Sequence, residues 1–212
     1  MPFDQLPMRS IRFLALCATL LAATAAARAT TVIPPDFTEL VSESDYVIRG
    51  KVKSLSNEQQ MREGRGMPFT LVEIEVTAVI AGEVPPKVVL RMLGGRTSEG
   101  ELRVQGAPRF VVGDESVFFV KNNGVSFYPL YGVMHGVYPI KRDKATGREY
   151  VARANGLPLS ATAEVGLPLA EGPMAKQLRK FIKASDALSV SEFTQSVREA
   201  RNRTTGERTN VN

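Results

Sequence analysis

Tryptophan is absent from the 212 residues of this chain, which contain a single cysteine and a single histidine. One cysteine, Cys17, leaves no partner for a disulfide within the chain and no thiolate cluster for a metal. One histidine, His135, disfavours zinc sites, which normally use two or more histidines at defined spacing. Aromatic residues make up 7% of the chain, so the ring platforms that bind sugars or nucleic acids are disfavoured too. We expect neither a cofactor nor a metal ion.

Long apolar runs are also missing. The longest, residues 13–27, falls short of the roughly 20 residues that a membrane span requires. Arginines precede it, and the small residues Ala27 and Ala29 follow at the positions that a signal peptidase reads. We therefore predict a secretory signal over residues 1–29, cleavage before Thr30, and export to the periplasm or the extracellular medium with no transmembrane span remaining. An uncleaved membrane anchor is the alternative.

Loss of this segment would change both the charge and the cysteine content. Three arginines and one aspartate lie within it, so the formal net charge of +5 falls to +3 in the mature chain. A charge this small does not predict a nucleic-acid partner. Cys17 follows Leu16, where lipidation would require a small residue, so we interpret the cysteine as part of the signal rather than as a lipid anchor.

Alternation of apolar and polar residues predicts strands through much of the mature chain. The predicted strands cover residues 46–52, 69–80, 87–93, 116–121, 125–130, 136–140 and 149–152, with a short edge strand at 102–104. The polar stretch 56–67 predicts a hairpin loop, and Asn122-Asn123-Gly124 predicts a tight hairpin, because Asn and Gly tolerate a left-handed backbone. Strands joined by hairpins, with short helices at the N-terminal entry and the C-terminal end, predict a mostly β fold, a small antiparallel OB-like barrel.

Capping patterns place the helices. Asp36 and Ser189 are each followed three residues later by glutamate, the capping-box pattern that begins a helix, and residues 173–183 predict a further short helix. The predicted organisation is a signal at 1–29, an OB-like β-barrel domain at 30–155, an extended linker with a short helix at 156–188, and a C-terminal helix with a polar tail at 189–212.

His135 is the candidate base for hydrolytic chemistry, because a serine nucleophile needs a base beside it. Ser116 and Ser126 are the candidate nucleophiles. The histidine lies between Gly132 and Gly136, so a histidine simply held in a glycine-rich turn is the alternative. No residue is assigned as catalytic, cofactor-binding or metal-ligating on this pattern alone.

Two further patterns favour structural roles. Glu73 and Glu75 share one face of a predicted strand, which predicts a charged outer face rather than a catalytic carboxylate pair. Gly94-Gly95 and Gly100 lack the lysine and hydroxyl residue that end a phosphate loop. We expect these glycines to supply positive φ angles in a loop.

Four segments, at residues 44–52, 72–82, 87–91 and 112–120, carry a family resemblance. They resemble the barrel core of netrin-like and metalloproteinase-inhibitor-like OB-fold domains, and the chain is similar to a broad set of exported bacterial proteins of uncharacterised function. In that set a Gly-Gly loop, a Gly-x-Pro-x-Phe-x-x-Gly-Asp stretch and a closing Gly-x-Tyr strand recur, here at residues 94–95, 106–114 and 136–138. The resemblance implies an OB-like fold over about residues 36–155. Inhibitors of this type present an N-terminal cysteine to their target metal, which the mature chain lacks, so no inhibitory residue carries over.

We expect a non-enzymatic exported module that binds another envelope or extracellular component, either a protein or another ligand. The expected groove lies between the segments 56–67 and 94–112. A secreted hydrolase centred on His135 is one alternative, and it requires a hydrogen bond from the ring to a serine or an acid. A purely structural envelope protein is the other, and it predicts an exposed apolar patch without a pocket.

Overall fold

The computed structural model describes residues 33–62, 65–97 and 100–209. The predicted signal over residues 1–29, with Ala27, Ala29 and Thr30 at its cleavage site, lies outside these described residues. A compact unit that begins at Ile33 contains all of them. None of the helices in this part of the chain is long and apolar enough to cross a membrane.

Eight strands and three α-helices make up the regular structure of the described residues. The strands are β1 Tyr46–Arg62, β2 Arg65–Ala81, β3 Val88–Leu93, β4 Gly95–Thr97, β5 Gly100–Leu102, β6 Glu115–Val120, β7 Val137–Arg142 and β8 Glu149–Val151. The helices are α1 Phe37–Glu43, α2 Gly172–Phe181 and α3 Val190–Thr209.

Six of the strands form one antiparallel sheet in the order β3-β2-β1-β6-β7-β8, and β4 pairs with β5 separately. The prediction of a mostly β, antiparallel fold is therefore confirmed. Within the described residues β3 and β8 form the two ends of the sheet and do not pair with each other. The sheet is not closed, so the OB-like barrel stays a prediction.

The predicted hairpin loop at 56–67 is wrong. There, β1 and β2 continue as a long two-stranded ribbon, with pairing from Val47 out to Arg62 opposite Arg65. Three register shifts interrupt this pairing near Val47, Arg49 and Val52, and such bulges bend and twist a ribbon. Beyond the bulges, residues 55–61 of β1 are all exposed, so the sequence of this strand carries none of the apolar alternation that marks a half-buried strand.

The predicted strand at 125–130 does not form. Asn122 and Gly124 do have positive φ angles, 54° and 90°, as expected. The chain after them runs as an irregular loop along the outer edge of β3, where Leu93 N donates to Phe127 O at 2.9 Å and Asn123 Nδ2 donates to Val89 O at 3.0 Å. The loop therefore covers the outer edge of β3 and bonds to its backbone groups. An edge strand can be covered in this way by a loop that forms no strand itself.

The helix caps are close to those predicted. Asp36 Oδ1 accepts a hydrogen bond from Glu39 N at 2.7 Å. The Glu39 carboxylate accepts from Tyr131 Oη at 2.6 Å, however, so only half of the first capping box forms. The second box is complete, since Ser189 N donates to Glu192 Oε2 at 2.7 Å and Glu192 N donates to Ser189 Oγ at 3.2 Å.

Alternate residues of the central strands fill two separate cores. Val117 and Phe119 point to a core closed by α1 and α3, which we call the helix-covered core. Phe118 and Val120 point to the other face, beneath the irregular segments that hold Phe110 and Tyr128, and this is the loop-covered core. The helix-covered core consists of Leu40, Val41, Val47, Ile80, Val117, Phe119, Tyr138, Val151, Leu159, Val165, Val190, Phe193, Val197 and Ala200. The loop-covered core consists of Tyr46, Ile48, Val52, Val72, Ile74, Val88, Leu90, Met92, Phe118, Val120, Leu130 and Val137.

Candidate binding groove

The segment between β3 and β6, which we call the arch, leaves the sheet at Gly94 and returns to it at Asp114. At the start, Gly94 N donates to Pro68 O at 2.9 Å and Thr70 Oγ1 donates to Gly94 O at 2.9 Å. At the end, Gly113 N donates to Val52 O at 2.8 Å and Val52 N donates to Asp114 O at 2.9 Å. Both ends of the arch are therefore fixed to the β1–β2 ribbon, and the chain between them passes over the sheet.

Two adjacent glycines make the sharp departure from β3 possible. Gly94 and Gly95 have φ angles of 107° and 142°, which confirms the positive φ expected for them. A Cβ atom on Gly95 would lie 2.8 Å from Asn57 Oδ1 and 2.9 Å from Thr70 Oγ1. Any other residue at this position would have to displace these two side chains and adopt a φ angle that side chains rarely take.

A groove of about 300 Å³ lies between the arch and the sheet. Its floor is apolar, because Val72 and Met92 belong to the loop-covered core and Leu55 lies beside them. Its outer wall comes from the arch, chiefly from Leu102 on β5 and from Phe110. The ring of Phe110 packs against the ring of Phe118 in the loop-covered core, with 6.1 Å between their centroids.

Charged side chains line the rim of this groove. Arg103 Nη2 donates to Glu101 Oε2 at 2.8 Å, and Arg109 lines the same opening. The hydrogen bond from Arg103 holds the pKa of Glu101 below its ordinary value, and the charges of Arg96 and Arg109 act in the same direction. Two cations, Arg103 and Arg109, and one carboxylate, Glu101, line the rim, which therefore carries a net positive charge.

The ribbon and the arch meet as the sequence led us to expect, although the ribbon is a pair of strands rather than a loop. Arg96 N donates to Asn57 Oδ1 at 3.4 Å, which joins β4 to the ribbon. A second opening of about 360 Å³ lies between Gly66 and Pro68 of the ribbon and Gly100–Leu102 of β5. The groove under the arch is displaced from the expected position, because Leu55 and Thr70, near the base of the ribbon, line it and none of residues 56–67 does.

His135 lies away from this groove, in a short 3₁₀ turn at Val133–Gly136, and only 7% of its surface is exposed. Burial lowers the pKa of its ring, and the positive charge of Arg153 lowers the pKa further. Within the described part of the chain the ring makes no hydrogen bond to a serine or an acid. The arrangement that a hydrolase requires is therefore not assembled around His135.

The candidate nucleophiles are also committed elsewhere. Ser126 Oγ donates to Tyr128 O at 2.9 Å and accepts from Tyr128 N at 3.1 Å, which closes a local turn. Ser116 is buried on β6.

Glu73 accepts from Lys53 Nζ at 3.0 Å and from Ser54 Oγ at 3.2 Å, and the Lys53 contact lowers the pKa of Glu73. Glu73 therefore belongs to a charged outer face, as the sequence predicted.

Arg153 and Tyr138 complete a buried polar cluster beside His135. Arg153 Nη2 donates to Leu167 O, and burial lowers the pKa of this guanidinium. Burial raises the pKa of the Tyr138 hydroxyl, and Arg153 opposes that shift. Each shift that burial causes favours the neutral form of its group, which is the behaviour of a buried structural cluster.

One side chain with an extensive role was not identified from the sequence. Arg201 on α3 donates from Nη1 to Val41 O and Ser44 O, each at 2.9 Å, and from Nη2 to Asp45 O at 3.1 Å. These carbonyls lie at and just beyond the end of α1, where helical backbone bonding runs out. A polar cavity of about 440 Å³ adjoins this contact. No local pattern could have found it, because Arg201 and Val41 lie 160 residues apart.

No cluster of three or more histidine, cysteine, aspartate or glutamate side chains suited to a metal occurs among the described residues. Compared with models of protein families, with curated proteins and with solved structures, the chain matches none of them. The resemblance to netrin-like and metalloproteinase-inhibitor-like domains therefore stays a prediction from the sequence.

Proposed function

We propose that this protein is an exported, non-catalytic binding module, and that the groove beneath the arch holds an acidic, extended segment of another envelope or extracellular protein. The observation that carries the proposal is the combination of an apolar floor with a rim formed by Arg103, Arg109 and a single glutamate, Glu101. A third arginine, Arg96, lies outside the lining but acts on the same carboxylate. Such a site favours a ligand that brings both an apolar side chain and negative charge.

The apolar floor supports binding of a side chain rather than of a bare anion. Leu55 and Leu102 are both exposed at the opening, and Met92 lies beneath them. Covering this surface with a leucine-sized side chain is worth about 1.5–3 kcal/mol. The volume of about 300 Å³ is at the small end for ligand pockets, which suits one or two side chains of a longer segment.

The arch also offers an edge strand. β5 is the outer strand of the β4–β5 pair, and all three of its residues are exposed. An extended peptide can add to such an edge through main-chain hydrogen bonds while alternate side chains enter the adjacent groove. Arg103 and Arg109 would then meet carboxylates of the peptide, with bidentate geometry available to each guanidinium.

The alternatives fit less well. A purely structural envelope protein would need no pocket, yet the arch is anchored at both ends so that a groove remains under it. A hydrolase centred on His135 would need a hydrogen-bonded partner for the ring, and the charge that acts on the ring is the repelling one of Arg153.

The proposal also includes export and an OB-like barrel fold. Export is supported by the apolar residues 13–27 with Ala27 and Ala29 behind them, and it predicts a mature N-terminus at Thr30 in protein recovered from the periplasm or medium. The OB-like barrel is supported by the bulged ribbon of β1 and β2 beside β6, since bulges of this kind let a sheet curl. Pairing of β3 with a further strand that closes the sheet would establish the barrel.

A peptide-binding titration tests the proposed function. The probes are fluorescent hexapeptides that alternate leucine with glutamate or leucine with lysine. The Arg103→Glu, Arg109→Glu double variant should lose at least tenfold in affinity for the acidic peptide, since each charge-assisted contact is worth about 1.5 kcal/mol or more. The Arg198→Glu, Arg203→Glu double variant on α3 is the matched control, because it changes the charge by the same amount at two exposed arginines outside the groove.

Two results would argue against this site. If the basic peptide binds as tightly as the acidic one, the rim charge does not select the ligand. If the Arg198→Glu, Arg203→Glu variant weakens binding as much as the groove variant does, only the net charge of the protein matters.

A further inference from the structure

Helix α2 has an unusual combination of apolar and basic residues. Its sequence continues to Lys183 without an acidic side chain, and four basic residues occur in the last eight positions: Lys176, Arg179, Lys180 and Lys183. On a helix, Met174, Leu178 and Phe181 fall on one face because they are spaced by four and three residues. Lys176, Arg179 and Lys180 occupy the opposite side of the same helix, and Lys183 follows just after the helix ends.

This apolar face is only partly used by the fold. Of the ten residues of α2, all of them described, only Ala175 is buried. Met174 is 63% exposed and Phe181 is 77% exposed. Arg179 Nη2 donates to Asn155 O at 2.7 Å, which holds the helix against the body while leaving the Met174–Phe181 edge in solvent.

The cations of α2 have no carboxylate partners in the described part of the chain. None of Lys176, Lys180 and Lys183 takes part in an ion pair there. Exposed lysines with long apolar stems can extend sideways and place their ammonium groups at a charged interface while the stems cover apolar surface. The helix therefore presents exposed apolar side chains and uncompensated positive charge together.

We propose that α2 is an interfacial helix that docks this protein on a membrane surface rich in anionic phospholipids. Met174 and Phe181 enter the boundary between headgroups and acyl chains, and Lys176, Lys180 and Lys183 bind lipid phosphates. Charge complementarity decides the occupant, because a basic amphipathic helix with exposed Met and Phe gains from both the acyl region and the anionic headgroups of such a surface. The proposal is independent of the groove.

The absence of tryptophan from the chain allows a direct test. Phe181→Trp places a single fluorescent reporter on the proposed docking face, and Val125→Trp places the matched control at a residue that is 89% exposed on a loop outside α2. Each variant of the full chain is mixed with vesicles of phosphatidylglycerol and phosphatidylcholine, or of phosphatidylcholine alone, with and without brominated acyl chains. A reporter at residue 181 reads insertion of α2 itself, whatever the rest of the chain does.

Insertion predicts that the indole emission of the Phe181→Trp variant shifts to the blue and is quenched by brominated chains on the anionic vesicles, with neither effect on phosphatidylcholine alone. The emission of the Val125→Trp variant should stay unchanged on both. Adding Lys176→Gln and Lys180→Gln to the Phe181→Trp variant should weaken binding roughly thirtyfold, since each basic residue near an anionic surface contributes about fivefold.

Three outcomes would overturn the proposal. Emission of the Phe181→Trp variant that does not change on anionic vesicles excludes docking through α2. An equal response on phosphatidylcholine alone removes the role of the cations. A blue shift without lipid that grows with protein concentration would mean that a second copy of the chain covers this face.

Discussion

The two cores of this protein use the same strands and are closed in different ways. Neighbouring residues Phe118 and Phe119 of β6 are both fully buried, yet one points to the loop-covered core and the other to the helix-covered core. In the helix-covered core, Phe193 of α3 touches three other rings, with centroids at 5.1 Å from Tyr138, 6.0 Å from Phe37 and 6.1 Å from Phe119. In the loop-covered core, Phe118 meets Phe110 of the arch.

This difference separates stability from binding. Helices satisfy their own backbone and can press a continuous apolar face onto a sheet. Irregular segments must use residues for turns and anchors, and they leave space between them. The groove lies on the loop-covered side, and so do the side-chain atoms Asn123 Oδ1 and Tyr128 Oη, which are buried without a hydrogen-bond partner among the described residues. We infer that the helix-covered core holds the fold together and the loop-covered core presents its site.

The largest effect is expected from Phe193→Ala. Removing this fully buried ring should lower the free energy of unfolding by about 3–5 kcal/mol, because lost burial and a residual cavity both contribute. Chemical denaturation followed by circular dichroism measures the change. Phe181→Ala, at an exposed phenylalanine of α2, is the control and should cost less than about 0.5 kcal/mol. Equal costs for the two would contradict the central role of the helix-covered core.

The second effect is expected from Arg201→Ala, on the same side of the sheet. Hydrogen bonds to a charged group are worth about 1.5–3 kcal/mol when lost, and here several carbonyls at the end of α1 lose their donor together. We expect a loss near 2 kcal/mol, about a typical value for such bonds, by the same denaturation measurement. Arg198→Ala, at an exposed arginine on α3, should change little. A cost no greater than that of Arg198→Ala would mean that water replaces the guanidinium without penalty.

A smaller stability effect with a larger binding effect is expected from Phe110→Ala. The ring is half-buried, so its removal should cost about 1–2 kcal/mol, less than a fully buried phenylalanine. The arch should lose its ring contact with Phe118, and the groove should lose part of its outer wall. The acidic peptide should therefore bind more weakly. The functional division between the cores breaks down if Phe110→Ala destabilises as much as Phe193→Ala and leaves peptide binding intact.

The smallest effect concerns pH and His135. Burial, together with the charge of Arg153, lowers the pKa of the ring, so the folded protein binds fewer protons than the unfolded chain once the pH falls below about 6.5. Stability should therefore be complete above that pH and decline on acidification, by at most about 1.4 kcal/mol per pH unit for this single group.

His135→Gln should flatten this decline, which a set of denaturation curves between neutral and mildly acidic pH would reveal. An unchanged slope in the variant would place the acid sensitivity on carboxylates instead. Arg153 also interacts with Tyr138 of the helix-covered core. A flatter pH dependence in His135→Gln would therefore place the acid sensitivity of the protein on the side of the helix-covered core.

Sequence patterns predicted the parts of the fold that are half buried. The strands around Val47, Val117 and Tyr138 are buried on one face or on both. Their apolar residues therefore alternate with polar ones or form a continuous apolar run, and either pattern is recognisable in the sequence. The caps at Asp36 and Ser189 are local and were predicted from four-residue patterns. These signals depend only on residues close together in the chain.

Three features could not be predicted, each for a physical reason. Residues 56–61 of β1 have no buried face, so nothing in their sequence distinguishes a strand from a loop. The loop at 121–130 is shaped by the β3 edge that it covers. The contacts of Arg201 join residues far apart in the chain. The groove itself was expected at the arch, but its arginines follow no period, and the fold is what brings Arg96 and Arg109 near Glu101.

The contact between Arg201 and the end of α1 has a consequence for how the chain acquires its structure. α1 precedes every strand, and α3 follows every strand, so the helix-covered core joins residues from opposite ends of the described chain. Such long-range closure is slow, because loop entropy must be lost before the contacts form. A ribosome would have to add α3 before Leu40 and Phe193 could meet. Until then the helix-covered core lacks the residues of its C-terminal side and cannot close.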